Sequence, residues 1–395
     1  MPGFEVFGDE ERKEVQDVLD TGVLFRYGFD QARNGHWKAR TFEEEFAKRC
    51  KVRYCHMCSS GTAAVHTALA VSGVGAGDEV ILPPFTFVAS VEAVLALGAV
   101  PVYAEIDETL CLDPDNVRRQ VTEKTRAVMP VHMCGSMARI EELKEICDNN
   151  GLALVEDACQ SIGGTFKGKS LGTFGTAGCF SLDPVKTITA GEGGAVVSDH
   201  EKVYESIHRF CDHGHDHIGN DRGTEAHPII GFNYRISELN AAVGLAQLRK
   251  LDMILSTQRR NKEVLKRAFS QFDDVIFRTI PDPQGDTATF LCFFMPDEKS
   301  ARDTVDGFKK EGVPGVFYWY ANNWHYHLQW EHFASLSSPS RLAVEALGRE
   351  LPHASANLPV SDRIMARTVC MLINLSWTED DLEERIRKIE TVFGK

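Results

Sequence analysis

The sequence predicts an α/β protein. A large domain over residues 1–255 is built on a mixed, mainly parallel sheet, and a smaller C-terminal α/β domain follows over residues 256–395. Three observations point there. The 395 residues exceed one ordinary domain and suit two. Between about residues 60 and 200, short β-branched runs alternate with helical stretches. Those runs are apolar nearly throughout rather than at every second residue, as in strands covered on both faces.

Taken in order, the chain opens with an amphipathic helix over about Asp9–Leu19 and a loop rich in aromatic and basic residues, Phe25–Arg40. Strands are expected at Glu79–Leu82, Val100–Tyr103, Ala127–Val131, Leu152–Glu156 and Ala195–Ser198. Helices are expected at Thr62–Val71, Val88–Leu97 and Ile140–Asn149, the last stopped by Gly151. Ile236–Leu255 reads as one long helix, because Ile236, Leu239, Val243 and Ala246 share a face. In the small domain, Ala288–Met295 reads as strand and Glu379–Phe393 as helix. Ligands of such sheets sit beyond the carboxyl ends of the strands, so chemistry is sought there.

Composition narrows the function classes. Acidic residues number 57 against 43 basic, a net charge of −14, which disfavours a nucleic-acid partner. A local basic pocket for an anionic substrate stays compatible with it. No run of 18 apolar residues suggests a membrane span. The opening segment MPGFEVFGDEERKEV has no basic stretch followed by an apolar core. A cytoplasmic protein whose 11 cysteines are buried, reduced thiols is therefore expected.

Three motifs are weakened by their context. Gly163–Ser170, GGTFKGKS, matches the P-loop pattern, yet LGTFGTAG follows where a P-loop needs a helix. Cys55–Cys58 is a lone CxxC, and structural zinc needs four ligands, so core packing is the better reading. Residues 211–227 hold His213, His215, His217 and His227 among Gly, Asp and Asn. They read as a polar loop near an active site, and no metal is expected.

Four other segments carry chemistry together. Ser59-Ser60-Gly61-Thr62 ends a strand and opens a helix, which offers backbone N–H groups and hydroxyls to a phosphate. Phe85-Thr86-Phe87-Val88 puts an aromatic plate at the sheet edge. Asp157 ends a buried strand, where a carboxylate needs a cation. Lys186 precedes the turn Gly191-Glu192-Gly193-Gly194. A phosphate cup, an aromatic plate, a strand-end aspartate and a lysine are what pyridoxal 5'-phosphate requires.

These segments lie within SSGTAAVHTALAVSGVGAGDEVILPPFTFVAS, GAVPVYAEID, LVEDACQSIGGTFKGKSLGTFGTAGCFSLDPVKTITAGEGGAVV and GFNYRISELNAAVGLAQL. Nearly end to end, the chain resembles the DegT/StrS-type sugar aminotransferases, which are fold-type-I pyridoxal phosphate enzymes. FRYGFDQARNGHWKAR, PVHMCGSMA, CDHGHDHIG and FYWYANNWHYH are similar to segments of the KdnA-type members. That resemblance implies transfer of the amino group of L-glutamate to the carbon-8 aldehyde of 3,8-dideoxy-8-oxo-D-manno-octulosonate. The product would be 8-amino-3,8-dideoxy-D-manno-octulosonate, for lipopolysaccharide. Two rivals stay open: a family member acting on a UDP- or dTDP-linked 4-keto or 3-keto sugar, and a non-catalytic regulator that binds the cofactor as a ligand.

The resemblance also implies roles. Lys186 would condense with the cofactor aldehyde, Asp157 would pair with the pyridine nitrogen, and Gln160 would pack on the ring or meet its phenolic oxygen. Ser60, Gly61, Thr62 and Ser181 would hold the phosphate, and Phe87 would stack. Asn233, in GFNYR, would reach the phosphate of a neighbouring subunit, which implies a homodimer. Asp183 stands where the family commonly has histidine, and it reads as a turn cap before Pro184. Residues 1–40 and the His-rich loop would contribute walls to the sugar pocket. Both substrates carry carboxylates, so Arg26 and Arg235 are the favoured ligands ahead of Arg222. His215, Tyr320 and His325 are further substrate candidates.

Overall fold

The structure is a computed structural model that describes residues 3–219, 222–348 and 357–394. Its large sheet uses β1 (Tyr54–Cys58), β2 (Glu79–Leu82), β3 (Val100–Tyr103), β4 (Thr125–Val128) and β5 (Ala153–Asp157). A hairpin of β6 (Thr165–Phe166) and β7 (Lys169–Ser170) precedes its last members, β8 (Ala177–Ser181) and β9 (Gly194–Ser198). The strand order is β1-β9-β8-β5-β4-β2-β3. Only β9 runs antiparallel to its neighbours. Every residue of β3, β8 and β9 is buried, which explains why these strands are apolar on both faces.

Among the described residues, nine helices lead to and flank this sheet: α1 (Asp9–Thr21), α2 (Lys38–Cys50), α3 (Gly61–Val71), α4 (Val88–Ala96), α5 (Pro114–Gln120), α6 (Ile140–Asn150), α7 (Glu201–Phe210), α8 (Glu238–Arg249) and α9 (Leu251–Phe269). α3 is buried from Ala63 to Leu69, so its sequence is apolar all round rather than striped. α6 buries Ile140, Leu143, Ile146 and Cys147 along one stripe and stops at Gly151, whose φ of 64° suits a residue without a Cβ.

The second sheet is antiparallel, β10 (Ile276–Phe277), β11 (Phe290–Phe294), β12 (Val316–Phe317) and β13 (Thr368–Leu372), in the order β10-β11-β13-β12. With it come α10 (Glu298–Lys310), α11 (Glu331–Ala334), α12 (Ala343–Ala346), α13 (Pro359–Ala366) and α14 (Glu379–Val392). β11 alternates between two cores. Leu291 and Phe293 join the small-sheet core, while Phe290, Cys292 and Phe294 join the core of the large sheet. The aromatic stretch beginning at Trp319 also returns to that larger core, through Trp319, Tyr326, Trp330 and Phe333.

Three details differ from the sequence reading. The helix expected over Ile236–Leu255 is two helices that break at Lys250, and α9 continues to Phe269. The break follows from Lys250, whose ammonium donates to Glu11 (2.8 Å) and to the Val6 carbonyl (2.8 Å) and so ties the turn to the N-terminal segment. The strand expected to reach Val131 ends at Val128, close before Pro130, which has no N–H to give a ladder. The P-loop-like segment is the β6–β7 hairpin, with no helix after it.

Candidate active site

The parallel strands β1, β2, β4, β5 and β8 deliver their carboxyl ends to one edge of the large sheet, and a cavity of about 580 Å³ opens there. Ser60, Gly61, Thr62, Phe87, Asp157, Gln160, Ser181, Lys186 and His325 all line it. These residues are spread over 266 positions of sequence (60 to 325), so the topology alone brings them together.

One end of the cavity is the start of α3. Ser60 is its N-cap, with backbone at φ −164°, ψ 165° and its Oγ accepting the Ala63 N–H at 3.0 Å. The N–H groups of Gly61 and Thr62 lie in the first turn, ahead of any intrahelical acceptor. Glycine is demanded here by close approach. A Cβ on Gly61 would lie 2.7 Å from Ser181 Cβ, and one on Gly194 would lie 2.3 Å from the Ser60 carbonyl oxygen. Small residues, free N–H groups and the hydroxyls of Thr62 and Ser181 thus form a cradle of phosphate size at a helix N-terminus.

Asp157 lies at the middle of the sheet edge and is buried. Strand pairing carries on to it, because its N–H donates to the Pro130 carbonyl (2.9 Å) and its carbonyl accepts from His132 N–H (2.9 Å). Both carboxylate oxygens are held. Oδ2 accepts from Ser90 Oγ at 2.8 Å, Oδ1 accepts from Cys159 N–H at 3.1 Å, and Ser90 Oγ lies 2.7 Å from Thr86 Oγ1. Gln160 Oε1 accepts the Cys134 N–H at 3.0 Å, which fixes the amide beside the aspartate.

Lys186 follows β8 in a tight turn. Its N–H donates to the Asp183 carbonyl (3.0 Å), while the Asp183 carboxylate accepts the Val185 N–H (2.9 Å). Asp183 is therefore engaged as a turn cap. Across the cavity, burial and then the Lys186 charge push His325 down to about 3. His325 Nδ1 lies 3.0 Å from Asn322 Oδ1, an oxygen that can only accept. The ring is thus neutral, with its proton on Nδ1 and a lone pair on Nε2.

An aromatic wall closes one side. Trp324 stacks on Phe87 with centroids 5.6 Å apart and an interplanar angle of 20°. Trp319 lies 4.5 Å from His325. Backbone bonds from Thr86 N–H to His325 O (3.0 Å) and from Val88 N–H to Trp324 O (3.1 Å) fix this wall to the start of α4.

The remaining candidates do not line this cavity. Arg26 is buried elsewhere, donating from Nη2 to Glu43 (2.7 Å) and from Nη1 to the Met57 carbonyl (2.8 Å), so both terminal nitrogens are engaged. Tyr320 is half-buried, 5.3 Å from the Tyr326 ring. Arg235 and Arg222 both bind the buried Asp212, at 2.5 Å and 2.9 Å. Burial alone would raise the Asp212 carboxyl, but hydrogen bonds from these two arginines hold it below its ordinary range. His215 pairs with Glu225 at 2.9 Å, and its ring lies 4.1 Å from that of His227. Asn233 is exposed and bridges to Asp212 through its backbone. Arg222, Arg235, His215 and Asn233 thus form a second polar cluster around residues 212–235.

Sequence reasoning passed over several lining residues. Ser90 lies in the first turn of α4, where its Oγ meets Thr86 Oγ1 from the segment just before the helix. Phe4 and Glu5 enter because Gly3 N–H donates to the Lys186 carbonyl (3.1 Å) and Glu5 accepts from Ser376 N–H (2.8 Å). Nothing local in the sequence signals that strap. Among the described lining residues, Lys186 is the only lysine or arginine, beside the carboxylates of Glu5, Asp157, Asp183 and Glu192.

These residues fit pyridoxal phosphate: the Gly61–Gly194 cradle matches its phosphate, the buried Asp157 its pyridinium, and Lys186 its aldehyde. The sequence pattern of the DegT/DnrJ/EryC1/StrS aminotransferase family matches residues 6–390. Over 257 residues the chain is 39% identical to the GDP-perosamine synthase of Vibrio cholerae, spanning 65% of this chain and 67% of that protein. The crystal structure of 3-amino-5-hydroxybenzoic acid synthase superposes with a TM-score of 0.79 at 30% identity, covering 98% of this chain and 96% of the other. NtdA from Bacillus subtilis, solved with bound PMP, superposes with a TM-score of 0.81, covering 100% of this chain and 84% of the other. At 23% identity this is a likeness of fold.

Proposed function

Because this chain belongs to the DegT/DnrJ/EryC1/StrS family of pyridoxal phosphate-dependent sugar aminotransferases, we propose that it moves the amino group of L-glutamate to the carbon-8 aldehyde of 3,8-dideoxy-8-oxo-D-manno-octulosonate. The product, 8-amino-3,8-dideoxy-D-manno-octulosonate, would serve lipopolysaccharide synthesis from the cytoplasm. The observation that carries the chemistry is the single cavity shared by Lys186, Asp157 and the start of α3. The choice of sugar rests on the resemblance of segments 25–40, 211–219 and 317–327 to KdnA-type enzymes.

In this reading Gly61 and Thr62 N–H, with the Ser60, Thr62 and Ser181 hydroxyls, hold the phosphate, and Phe87 covers the ring. When bound, pyridoxal phosphate carries the amino group between substrates and takes up the electrons freed as the donor's α-carbon loses its proton. Asp157, fixed by Ser90 and Cys159, keeps the proton on the pyridine nitrogen. Lys186 Nζ takes the proton from the donor's α-carbon and returns it on the other side of the transfer, a role worth ~10²–10⁴-fold. His325 Nε2, a neutral acceptor, meets a sugar hydroxyl, while Trp319 and Trp324 exclude water.

The carboxylates of both substrates need cations, and Lys186 is committed to the cofactor. We assign the carboxylate ligand to Arg235 of a second copy, which meets Asp212 through Nη1 alone, with Arg222, held on Asp212 by both terminal nitrogens, and His215 beside it, and Asn233 reaching the phosphate across a homodimer. Exposed Ile218, Ile229, Ile230 and Phe232 in the same segment support a covered face.

The test has two parts. Glutamate alone should release one equivalent of 2-oxoglutarate per chain, and Lys186→Ala should release none. The octulosonate aldehyde should then be aminated faster than any nucleotide-linked ketosugar. The likeness to a GDP-perosamine synthase favours the rival in which a nucleotide-linked sugar is the acceptor. Faster turnover of such a sugar would replace the octulosonate reading and leave the aminotransferase reading intact.

A further inference from the structure

Cys134, Cys292 and Cys370 are all buried, and their three sulfurs lie within 4.8 Å of one another. Cys292 and Cys370 face each other across β11 and β13, with their sulfurs 2.8 Å apart. The two thiols are in direct contact. Cys134 comes from the loop after β4, at φ 57°, so the cluster joins the large sheet body to the small sheet.

Its neighbourhood is cationic. Arg278 is buried, and its hydrogen bonds run to the Met133 and Thr109 carbonyls and the Cys111 sulfur, not to a carboxylate. A guanidinium in that position can balance negative sulfur.

The cluster also lies next to the cavity. Phe290 and Leu372 line the cavity, are paired in register, and stand two residues from Cys292 and Cys370 on the same faces of their strands. Cys134 N–H holds Gln160, another lining residue.

We propose that Cys134, Cys292 and Cys370 form a three-sulfur binding site for a soft monovalent cation, Cu(I). Thiolate ligands select soft ions, and among the described residues no fourth donor joins the group, which disfavours tetrahedral zinc. Binding makes three sulfur–copper bonds and releases the thiol protons to solvent, and copper stays monovalent.

The experiment takes the full, pyridoxal phosphate-loaded chain with thiols reduced and titrates it against the Cu(I)–bicinchoninate complex. One equivalent per chain should transfer, and X-ray absorption of the loaded protein should show three sulfur neighbours. Cys134→Ser, Cys292→Ser and Cys370→Ser should each lose that equivalent, whereas Cys159→Ser, which removes the half-buried thiol in the cavity wall, should keep it. No uptake by the reduced chain, uptake that survives Cys292→Ser, or uptake lost with Cys159→Ser overturns the proposal. Should the serine variants fold poorly, the wild-type spectrum still decides, because nitrogen or oxygen neighbours would also overturn it.

Discussion

Glu156 shows how one buried carboxylate can position a site it never enters. It is fully buried and accepts four hydrogen bonds: from His132 Nε2 (3.1 Å) and from the N–H groups of Gly172 (2.8 Å), Phe174 (2.5 Å) and Gly175 (3.0 Å). His132 Nδ1 accepts the Ala138 N–H (3.2 Å), which leaves its proton on Nε2 for Glu156. This network fixes the end of β5 and hence Asp157 next to it. Glu156→Gln puts an amide NH₂ where N–H donors converge, so a loss of roughly 2–3 kcal/mol of stability is expected by urea denaturation. His208 and His325 give a second residue-level prediction. Burial foremost pushes both from 6.5 to about 3. The unfolded chain therefore binds these protons first. Stability is full above pH 6.5 and falls as pH drops towards 3, at up to ~1.4 kcal/mol per pH unit for each group. The melting temperature should fall between pH 7 and pH 5, and the double change His208→Gln with His325→Gln should flatten that fall.

Helix α3 ties the sheet edge to the cavity at the level of one element. Its apolar body is packed under the sheet, so its start cannot shift without disturbing the core. Ser60→Ala removes the N-cap acceptor and should cost about 1 kcal/mol in chemical denaturation. Gly61→Ala has another consequence, since its Cβ must push Ser181 aside. Cofactor retained after dialysis, read by absorbance, should drop for Gly61→Ala far more than for Ser60→Ala. The strand-to-helix turns at 58–61 and 82–88 were legible in the sequence because apolar runs, a cap and glycine are local signals. The break at Lys250 was not, because it depends on an ammonium meeting Glu11 and Val6, some 240 positions away.

At the scale of the whole molecule, the cavity is short of positive charge while the arginine-bearing segment stands apart. That segment also carries Ile230, 87% exposed, and Ile218, 73% exposed. A second copy that covers this face would bring cations to the cavity and remove apolar surface from water together. On the proposed homodimer, Ile230→Glu should therefore shift the chain from dimer to monomer in light scattering and lower amino transfer with it. Wild-type chain that runs as a monomer would remove the basis for placing Arg222, Arg235 and Asn233 at a neighbour's site. Among the described residues no helix is long and apolar enough to cross a membrane, in keeping with the absence of such a run in the sequence.

The sequence by itself determined the strands and helices it signalled between residues 62 and 198, and the residues from Ser60 to Lys186 that line the cavity. These residues stand at or shortly after strand ends, and strand ends are written in local apolar pattern and turn chemistry. Only the tertiary structure decided which polar side chains are free. Arg26 lies in a segment that reads as pocket wall, yet Glu43 and the Met57 carbonyl occupy its guanidinium. The Phe4–Glu5 strap, the two-faced β11 and the three-thiol cluster likewise join residues far apart in the chain. Their partners are set by packing in three dimensions, for which no local periodicity carries a signal.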